Sequence, residues 1–337
     1  MRSNNYLEKI GIYPKNKLKL GDKNYLAKNI ANMLSQSFNE LSNDYIELYM
    51  RIYNCNMYYA DVNEKFRGVF YYYKNNTIYI DSKKDISKID EYLIHEVIHY
   101  LQNFSKLDNN RAGVCKLNEF TIFGLGINEA IVQYIIAKAL NEEFSKINYE
   151  KVSIYTYNNL NYKYLSSLIY QILFLIGEKE AIKSSIYSTE DFENQLYYVF
   201  EENTNKILKY FDYILENNYK LNDARVINAY MKAQELIYKT YFTKMYKRLS
   251  TLEEIDKEEE KLKRYSNIVG IRNDSQNEYN KFLDFKKLMI NNYIKKYVSI
   301  SKQQSKNSLI VYKSGFSNFW KKIVKLLNKT DNEKVNN

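Results

Sequence analysis

Both histidines of this 337-residue chain, His95 and His99, stand four residues apart with Glu96 between them. On an α-helix, positions i and i+4 lie one above the other on the same face. The neighbouring apolar residues follow the i, i+3, i+4, i+7 spacing of a helix with one buried face: Ile94, Val97, Ile98 and Leu101. The two imidazoles and the carboxylate lie off this stripe, so the segment predicts a helix that presents all three on a shared face.

The H-E-x-x-H spacing of this helix is typical of a metal site. Two imidazoles so placed can bind one Zn²⁺, and the carboxylate of Glu96 is placed to act as a general base. The alternative is an accidental pair of histidines. Random placement would give this spacing with a glutamate at the second position in only about one chain in two thousand. The sequence therefore predicts a zinc site with His95 and His99 as ligands.

Composition indicates a folded and mostly helical chain. Hydrophobic residues make up 45% of it, and the helix breakers are few, with one proline and nine glycines. The net charge of +10 is spread along the chain among interspersed acidic residues. This spread favours general solubility over a polyanion site, so we expect no nucleic-acid partner.

The cysteines and the apolar segments indicate in which compartment the protein resides. Cys55 and Cys115 form no C-x-x-C pair, and we expect both to be free thiols. The first thirteen residues contain no apolar core of a signal peptide. The longest apolar candidate, Leu165 to Gly177, is interrupted by polar residues and is too short to span a bilayer. These features favour a cytoplasmic protein.

The remaining pattern predicts an α+β fold. Residues 68–81 form two β-rich runs around Lys74-Asn75-Asn76, which predicts a hairpin, and residues 45–62 fit either helix or strand. The metal helix should begin at 87–90 and end near Phe104, and a second helix should begin near Asn128 as its N-cap. Other helices are predicted at 24–41, 160–177, 191–203, 206–217 and 223–248.

The last predicted helix, Phe316 to Lys329, is basic and amphipathic, with aromatic residues on its apolar face. Such a helix can lie on a membrane surface as a peripheral contact. It can equally dock on the domain as a last core helix, and the sequence leaves both possibilities open.

A catalytic zinc takes three protein ligands, and with both histidines used the third must be a carboxylate or a thiolate. The longer metzincin motif fails, because Gln102 stands in place of its glycine and Ser105 in place of its last ligand. Glu129 is the best candidate, since it opens an apolar helix that can pack beside the first. Glu119 and Asp108 remain alternatives.

Residues 66–140, with H-E-x-x-H followed by Asn128-Glu129-Ala130, resemble the gluzincins, the thermolysin-like branch of the zinc metallopeptidases. The resemblance implies a zincin-like domain with a small antiparallel sheet and an active-site helix. It also implies His95, His99 and Glu129 as ligands and Glu96 as base and proton shuttle. By the same resemblance, the strand Thr77–Asp81 is the edge along which an extended substrate lies.

The chain departs from the gluzincin pattern at two points. Gln133 stands where family members often carry an aspartate that orients a ligand histidine, although an amide can also accept a ring N–H bond. No third histidine exists to stabilise an oxyanion, so a tyrosine or arginine must do so. Tyr155, Tyr157 and Tyr162 follow the second helix, and of these we predict Tyr157.

Taken together, the sequence predicts a zinc-dependent peptidase domain in residues 1–180 and a helical region of unknown role in residues 181–337. Its partner would be a peptide or protein substrate, and nothing in the sequence indicates an oligomeric state. The alternative is a non-catalytic, zinc-stabilised binding protein that uses its basic C-terminal helix on a membrane surface or polyanion. Structural zinc sites, however, usually have four protein ligands and are rich in cysteine.

Overall fold

The computed structural model of the chain describes residues 2–104, 111–117, 122–149, 152–157, 162–218 and 222–269, together with 280, 283–284, 286–292 and 294–295. Within these residues the fold is α+β. The described strands are β1 (Ile12–Lys17), β2 (Asn56–Val62), β3 (Val69–Tyr72), β4 (Thr77–Asp81), β5 (Arg111–Ala112), β6 (Cys115–Leu117), β7 (Ile122–Phe123), β8 (Phe144–Tyr149) and β9 (Val152–Tyr157).

The helices carry most of the described chain. They are α1 (Arg2–Lys9), α2 (Leu20–Ser37), α3 (Tyr45–Asn54), α4 (Glu91–Phe104), α5 (Leu125–Ala139), α6 (Lys163–Ile176), α7 (Lys179–Tyr187), α8 (Asp191–Phe200), α9 (Thr204–Glu216), α10 (Ala224–Arg248) and α11 (Leu252–Val269). The segment that fitted either helix or strand contains both, α3 followed by β2.

The main sheet has the strand order β1-β2-β4-β3. The hairpin prediction is confirmed, because β3 and β4 pair antiparallel and Asn76 has a positive φ of 53° in their turn. The sheet is mixed, however, since β2 and β4 pair in parallel. The expectation that Thr77–Asp81 is an edge strand is therefore wrong. Strand β4 is central, with its first four residues buried, and the edge strand beside it is β3.

The two faces of this sheet pack on different elements. Leu7 of α1 packs with Tyr72 and Tyr79 on one face. On the other face the ring of Tyr71 meets that of Tyr100 of α4 edge-on, with centroids 6.2 Å apart. The predicted apolar stripe of α4 is confirmed, because its four residues have no exposed surface. The contact with the sheet and the buried stripe together fix the rotation of α4 about its axis, and with it the direction that the histidine face points.

Helix α5 is buried on nearly all sides and contacts α4, α6, α7 and α9. It starts at Leu125, and its N-cap is Gly124, so the prediction that Asn128 caps it is wrong. The backbone N–H groups of Gly124 and Gly126 instead donate to the Asp212 carboxylate, at 3.1 and 2.7 Å. A carboxylate at this helix end satisfies amides that have no partner within the helix.

Gly126 allows α5 to approach α9 closely. A Cβ at this position would lie 2.3 Å from the carbonyl carbon and oxygen of Phe211, too near for any side chain. The contact sets the start of α5, and with it the position of Glu129 three residues later.

The chain divides into two compact units at Thr240 and Tyr241, whereas we expected a division at residue 180. Helices α7, α8 and α9 belong to the first unit. In the second unit, Lys286 is buried and its ammonium contacts the carboxylates of Asp256 (3.1 Å) and Glu259.

Among the described residues, none of the helices combines the length and the apolar character needed to cross a membrane.

Candidate metal centre

One face of α4 gathers the polar residues of the motif. Tyr92, His95, Glu96 and His99 stand at i, i+3, i+4 and i+7, opposite the buried apolar stripe. Helix α5 packs beside α4 and brings Glu129 to this face. The predicted third ligand is thus next to the two histidines.

The three predicted ligands converge. His95 Nε2 lies 2.9 Å from His99 Nε2. The two carboxylate oxygens of Glu129 face them, with Oε2 3.5 Å from His95 Nε2 and Oε1 3.2 Å from His99 Nε2. Zinc bonds of about 2.0–2.1 Å at a tetrahedral angle place ligand atoms about 3.3 Å apart. The observed separations of 2.9–3.5 Å bracket this value, so the donor set is compatible with a single zinc ion.

Both imidazoles are oriented by glutamines. His99 Nδ1 lies 3.0 Å from Gln102 Oε1, and His95 Nδ1 lies 3.1 Å from the Gln133 amide nitrogen. A half-turn of the Gln133 amide offers its oxygen to a ring N–H instead. With the Nδ1 atoms held in this way, the Nε2 atoms are the ones that face each other and can bind a metal.

Gln102 is held by a buried polar network that the sequence did not reveal. It is 1% exposed and exchanges hydrogen bonds of 3.2 Å with Asn128, and its amide nitrogen donates to Ser185 Oγ at 2.9 Å. Gly113 leaves room for this network, since a Cβ there would lie 2.2 Å from Asn128 Oδ1. Residues of α5 and α7 therefore fix a residue that orients a ligand on α4.

Glu96 is not one of the converging ligands. Its Oε2 accepts a hydrogen bond of 2.9 Å from the backbone N–H of Tyr71 on the edge strand β3. Burial raises the pKa of Glu96 to about 7. A carboxyl with a pKa near neutrality can both accept and release a proton at ordinary pH.

The ligand residues hold one another in a defined charge state. Burial and the neighbouring His99 lower the pKa of His95 to about 4. Burial also opposes a charge on His99, but the Glu129 carboxylate outweighs it and raises the pKa of His99. The pKa of Glu129 is lowered in turn, because His99 outweighs its burial. In the metal-free chain His99 and Glu129 therefore form a buried ion pair, at 3.2 Å.

A cleft of about 450 Å³ opens onto this centre. His95 and Glu96 line it, together with Val69 of β3, Gln133 of α5 and Tyr162. The edge strand, the proposed base and one proposed ligand therefore share a single cleft.

Among the candidate tyrosines, the structure brings Tyr162 to this cleft and places Tyr157 elsewhere. Tyr157 is buried in β9, with its ring centroid 5.2 Å from that of Phe144 and 6.1 Å from that of Tyr134. Tyr155 stacks on Phe144 at 6.0 Å. Burial and the charges of Glu129 and Glu96 raise the pKa of Tyr162 to about 12, so its hydroxyl stays protonated. The candidate for the residue that stabilises an oxyanion is therefore Tyr162 and not the predicted Tyr157.

Other predicted features can be placed only in part. The alternative ligands Asp108 and Glu119, and the helix Phe316 to Lys329, lie outside the described residues. Cys55 and Cys115 are buried free thiols, as expected.

No family model, no curated protein and no solved structure matches this chain. The function must therefore be inferred from the geometry of the site itself.

Proposed function

We propose that this protein is a zinc-dependent peptidase of the gluzincin type, with a zincin-like first unit. The observation that carries the proposal is the convergence of His95, His99 and Glu129. Of these three, His95 lines a cleft together with Glu96 and the edge-strand residue Val69. Two imidazoles and one carboxylate form a three-ligand set, and such sets are typical of catalytic zinc.

The donor set supports zinc through its chemistry as well as its spacing. Neutral imidazole nitrogens and a carboxylate oxygen are borderline ligands that suit this metal. When bound, zinc supplies Lewis acidity that polarises a carbonyl group and lowers the pKa of a water molecule toward about 7.

Glu96 is the general base of the proposed reaction. Its Oε2 is held by the Tyr71 amide, which leaves Oε1 as the atom that takes a proton from the attacking water. The same oxygen then delivers this proton to the leaving amine. Its pKa of about 7 suits both transfers near neutral pH.

Tyr162 supplies a neutral hydroxyl donor at the same cleft. In the proposed reaction this hydroxyl donates a hydrogen bond to the oxygen on which negative charge develops. The raised pKa of Tyr162 supports this role, because the group remains a donor throughout the working pH range.

The substrate lies along β3. This strand is the edge of the sheet, and its first residue, Val69, lines the cleft. A peptide in extended conformation can add to such an edge through main-chain hydrogen bonds. Strand β3 thus replaces Thr77–Asp81 as the strand along which an extended substrate is proposed to lie.

The test is a metal analysis combined with a peptide-library cleavage assay on the wild-type chain, Glu96→Gln and the exposed control Glu143→Gln. We expect about one zinc per chain in all three proteins. Cleavage should be unchanged in the control and reduced about 10³-fold in Glu96→Gln, because general base catalysis is lost. Zinc retained by every protein with no cleavage by any would contradict the proposal and favour the zinc-stabilised binding protein.

A further inference from the structure

The turn between β2 and β3 forms a positively charged wall of the cleft. Lys65 and Arg67 both line the cleft that also exposes His95 and Glu96. This pair, the Lys65–Arg67 wall, has no part in metal binding or proton transfer as described above.

The wall is built by a defined local structure. Residues Glu64–Phe66 form a 3₁₀ turn that starts at Asn63, whose side-chain oxygen accepts a hydrogen bond from Lys65 N at 3.1 Å. The turn ends at Arg67, which has a left-handed φ of 51°, and Gly68 follows with a φ of 83°. Residues other than glycine rarely adopt this conformation, and such outliers concentrate at functional sites.

Arg67 is held over the first turn of the metal helix. Its guanidinium lies 4.9 Å from the ring centroid of Tyr92 and donates a hydrogen bond to the Tyr92 hydroxyl. Tyr92 precedes His95 by three residues and shares its helix face. The arginine therefore contacts the helix face that bears His95, although it comes from another element of the fold.

The cations of the cleft are concentrated on this wall. Of the described residues that line the cleft, Lys65 and Arg67 are the cations, and the carboxylates Glu91 and Glu96 both come from α4, on a different element. Lys84, the other cation near Tyr92, forms an ion pair with Asp90. The charge of Arg67 also reaches Tyr162, where it opposes the burial that raises the pKa of that tyrosine.

We propose that the Lys65–Arg67 wall binds a carboxylate of the substrate, so that the cleft selects peptides with an acidic group next to the bond that is cut. This inference rests on the proposed peptidase function. Arginine suits the task because its planar fork can donate two parallel hydrogen bonds to one carboxylate. The carboxylate can come from an Asp or Glu side chain or from the C-terminus of the peptide.

Binding is measured without cleavage in the full-length, zinc-loaded Glu96→Gln chain, by fluorescence anisotropy. Three labelled peptides share one sequence: one with Glu at the tested position and an amidated C-terminus, its Gln counterpart, and the Gln peptide with a free C-terminus. We expect a peptide with a carboxylate to bind about tenfold more tightly than the amidated Gln peptide. Preference for the Glu peptide identifies the side chain as the source, and preference for the free terminus identifies the α-carboxylate.

The variant Arg67→Asn removes the charge and keeps the turn, because asparagine tolerates a left-handed φ. It should abolish the preference, whereas the exposed control Lys88→Gln should retain it. Equal binding of all three peptides would overturn the inference, as would a preference that survives in Arg67→Asn.

The same three peptides are then tested as cleavage substrates of zinc-loaded chains that keep Glu96. A carboxylate preference without cleavage would refute the peptidase proposal and leave the recognition site standing.

Discussion

His99 Nδ1 lies 3.0 Å from Oε1 of Gln102, an amide fixed by hydrogen bonds to Asn128 and Ser185. Side chains from two other helices thus determine that Nε2 is the nitrogen of His99 that faces His95 and Glu129. His95 has a simpler arrangement, with a single amide, that of Gln133, at its Nδ1 atom.

Gln133→Leu should weaken zinc binding about 10- to 100-fold, because outer contacts of this kind orient a ligand and raise its basicity. Competition with a chromogenic chelator measures the affinity. Gln102→Leu should have a similar effect and should also lower the Tm, since it leaves the buried groups of Asn128 and Ser185 without their partner. Unchanged affinity in both variants would show that the glutamines do not orient the ligands.

Glu129→Ala should remove most of the zinc affinity, because it deletes one of the three proposed ligands and the carboxylate nearest to both histidines. Zinc content after dialysis against a weak chelator measures the loss. Glu143→Ala, on the exposed segment after α5, is the matched control and should retain its zinc. If Glu129→Ala keeps its zinc, the third ligand must be Glu119 or Asp108.

Tyr162→Phe should reduce kcat about 10²-fold and leave KM and zinc content nearly unchanged, because a transition-state hydrogen-bond donor is lost. Tyr157→Phe is the control, since its ring packs among aromatic residues away from the cleft. Steady-state kinetics on the best library peptide separates the two parameters. A larger loss in Tyr157→Phe would restore the role that the sequence assigned to that residue.

Gly126→Ala should destabilise the first unit by about 3 kcal/mol, because the new methyl group collides with the backbone of α9. Gly21→Ala is the contrasting variant. Nothing lies within 4 Å of a Cβ at Gly21, which is inside α2. It should stabilise the chain by up to about 1 kcal/mol through helix propensity. Urea unfolding of both variants tests the contrast, and equal effects would contradict the close contact.

The metal-free chain should lose stability as pH rises from about 6.5 to 9. The pKa of His99 is raised from 6.5 to about 9 in the folded state, mainly because Glu129 outweighs its burial. A group with a raised folded pKa contributes stability that is fully present below its unfolded pKa and lost as pH passes its folded pKa. Zinc affinity should rise over the same range, because the ion displaces this proton. The Tm of the metal-free His99→Gln chain should vary less across this range, and an unchanged slope would contradict the assignment.

Local patterns were sufficient for the metal helix and the hairpin. The histidine spacing and the apolar stripe of α4 both follow from helical geometry, and the Asn76 turn follows from the tolerance of asparagine for a positive φ. Glu129 was accessible through its resemblance to a known ligand position, and its place beside the histidines agrees with that expectation.

The features that the sequence missed depend on long-range contacts. The central position of β4 comes from parallel pairing with β2, which no local alternation encodes. The true start of α5 depends on Asp212, a distant residue that accepts its first amide hydrogens. Tyr162 is one of three candidates among the 36 tyrosines, and only the fold, which places it at the cleft, distinguishes it from the other two.

The contact of Asp212 with the amides of Gly124 and Gly126 determines when the centre can form during synthesis of the chain. A nascent chain acquires both histidines and Glu129 long before the ribosome adds the aspartate that anchors α5. Full assembly of the centre must therefore await the emergence of α9. The proposed metal centre is thus completed late in translation, after nearly all of the first unit has been made.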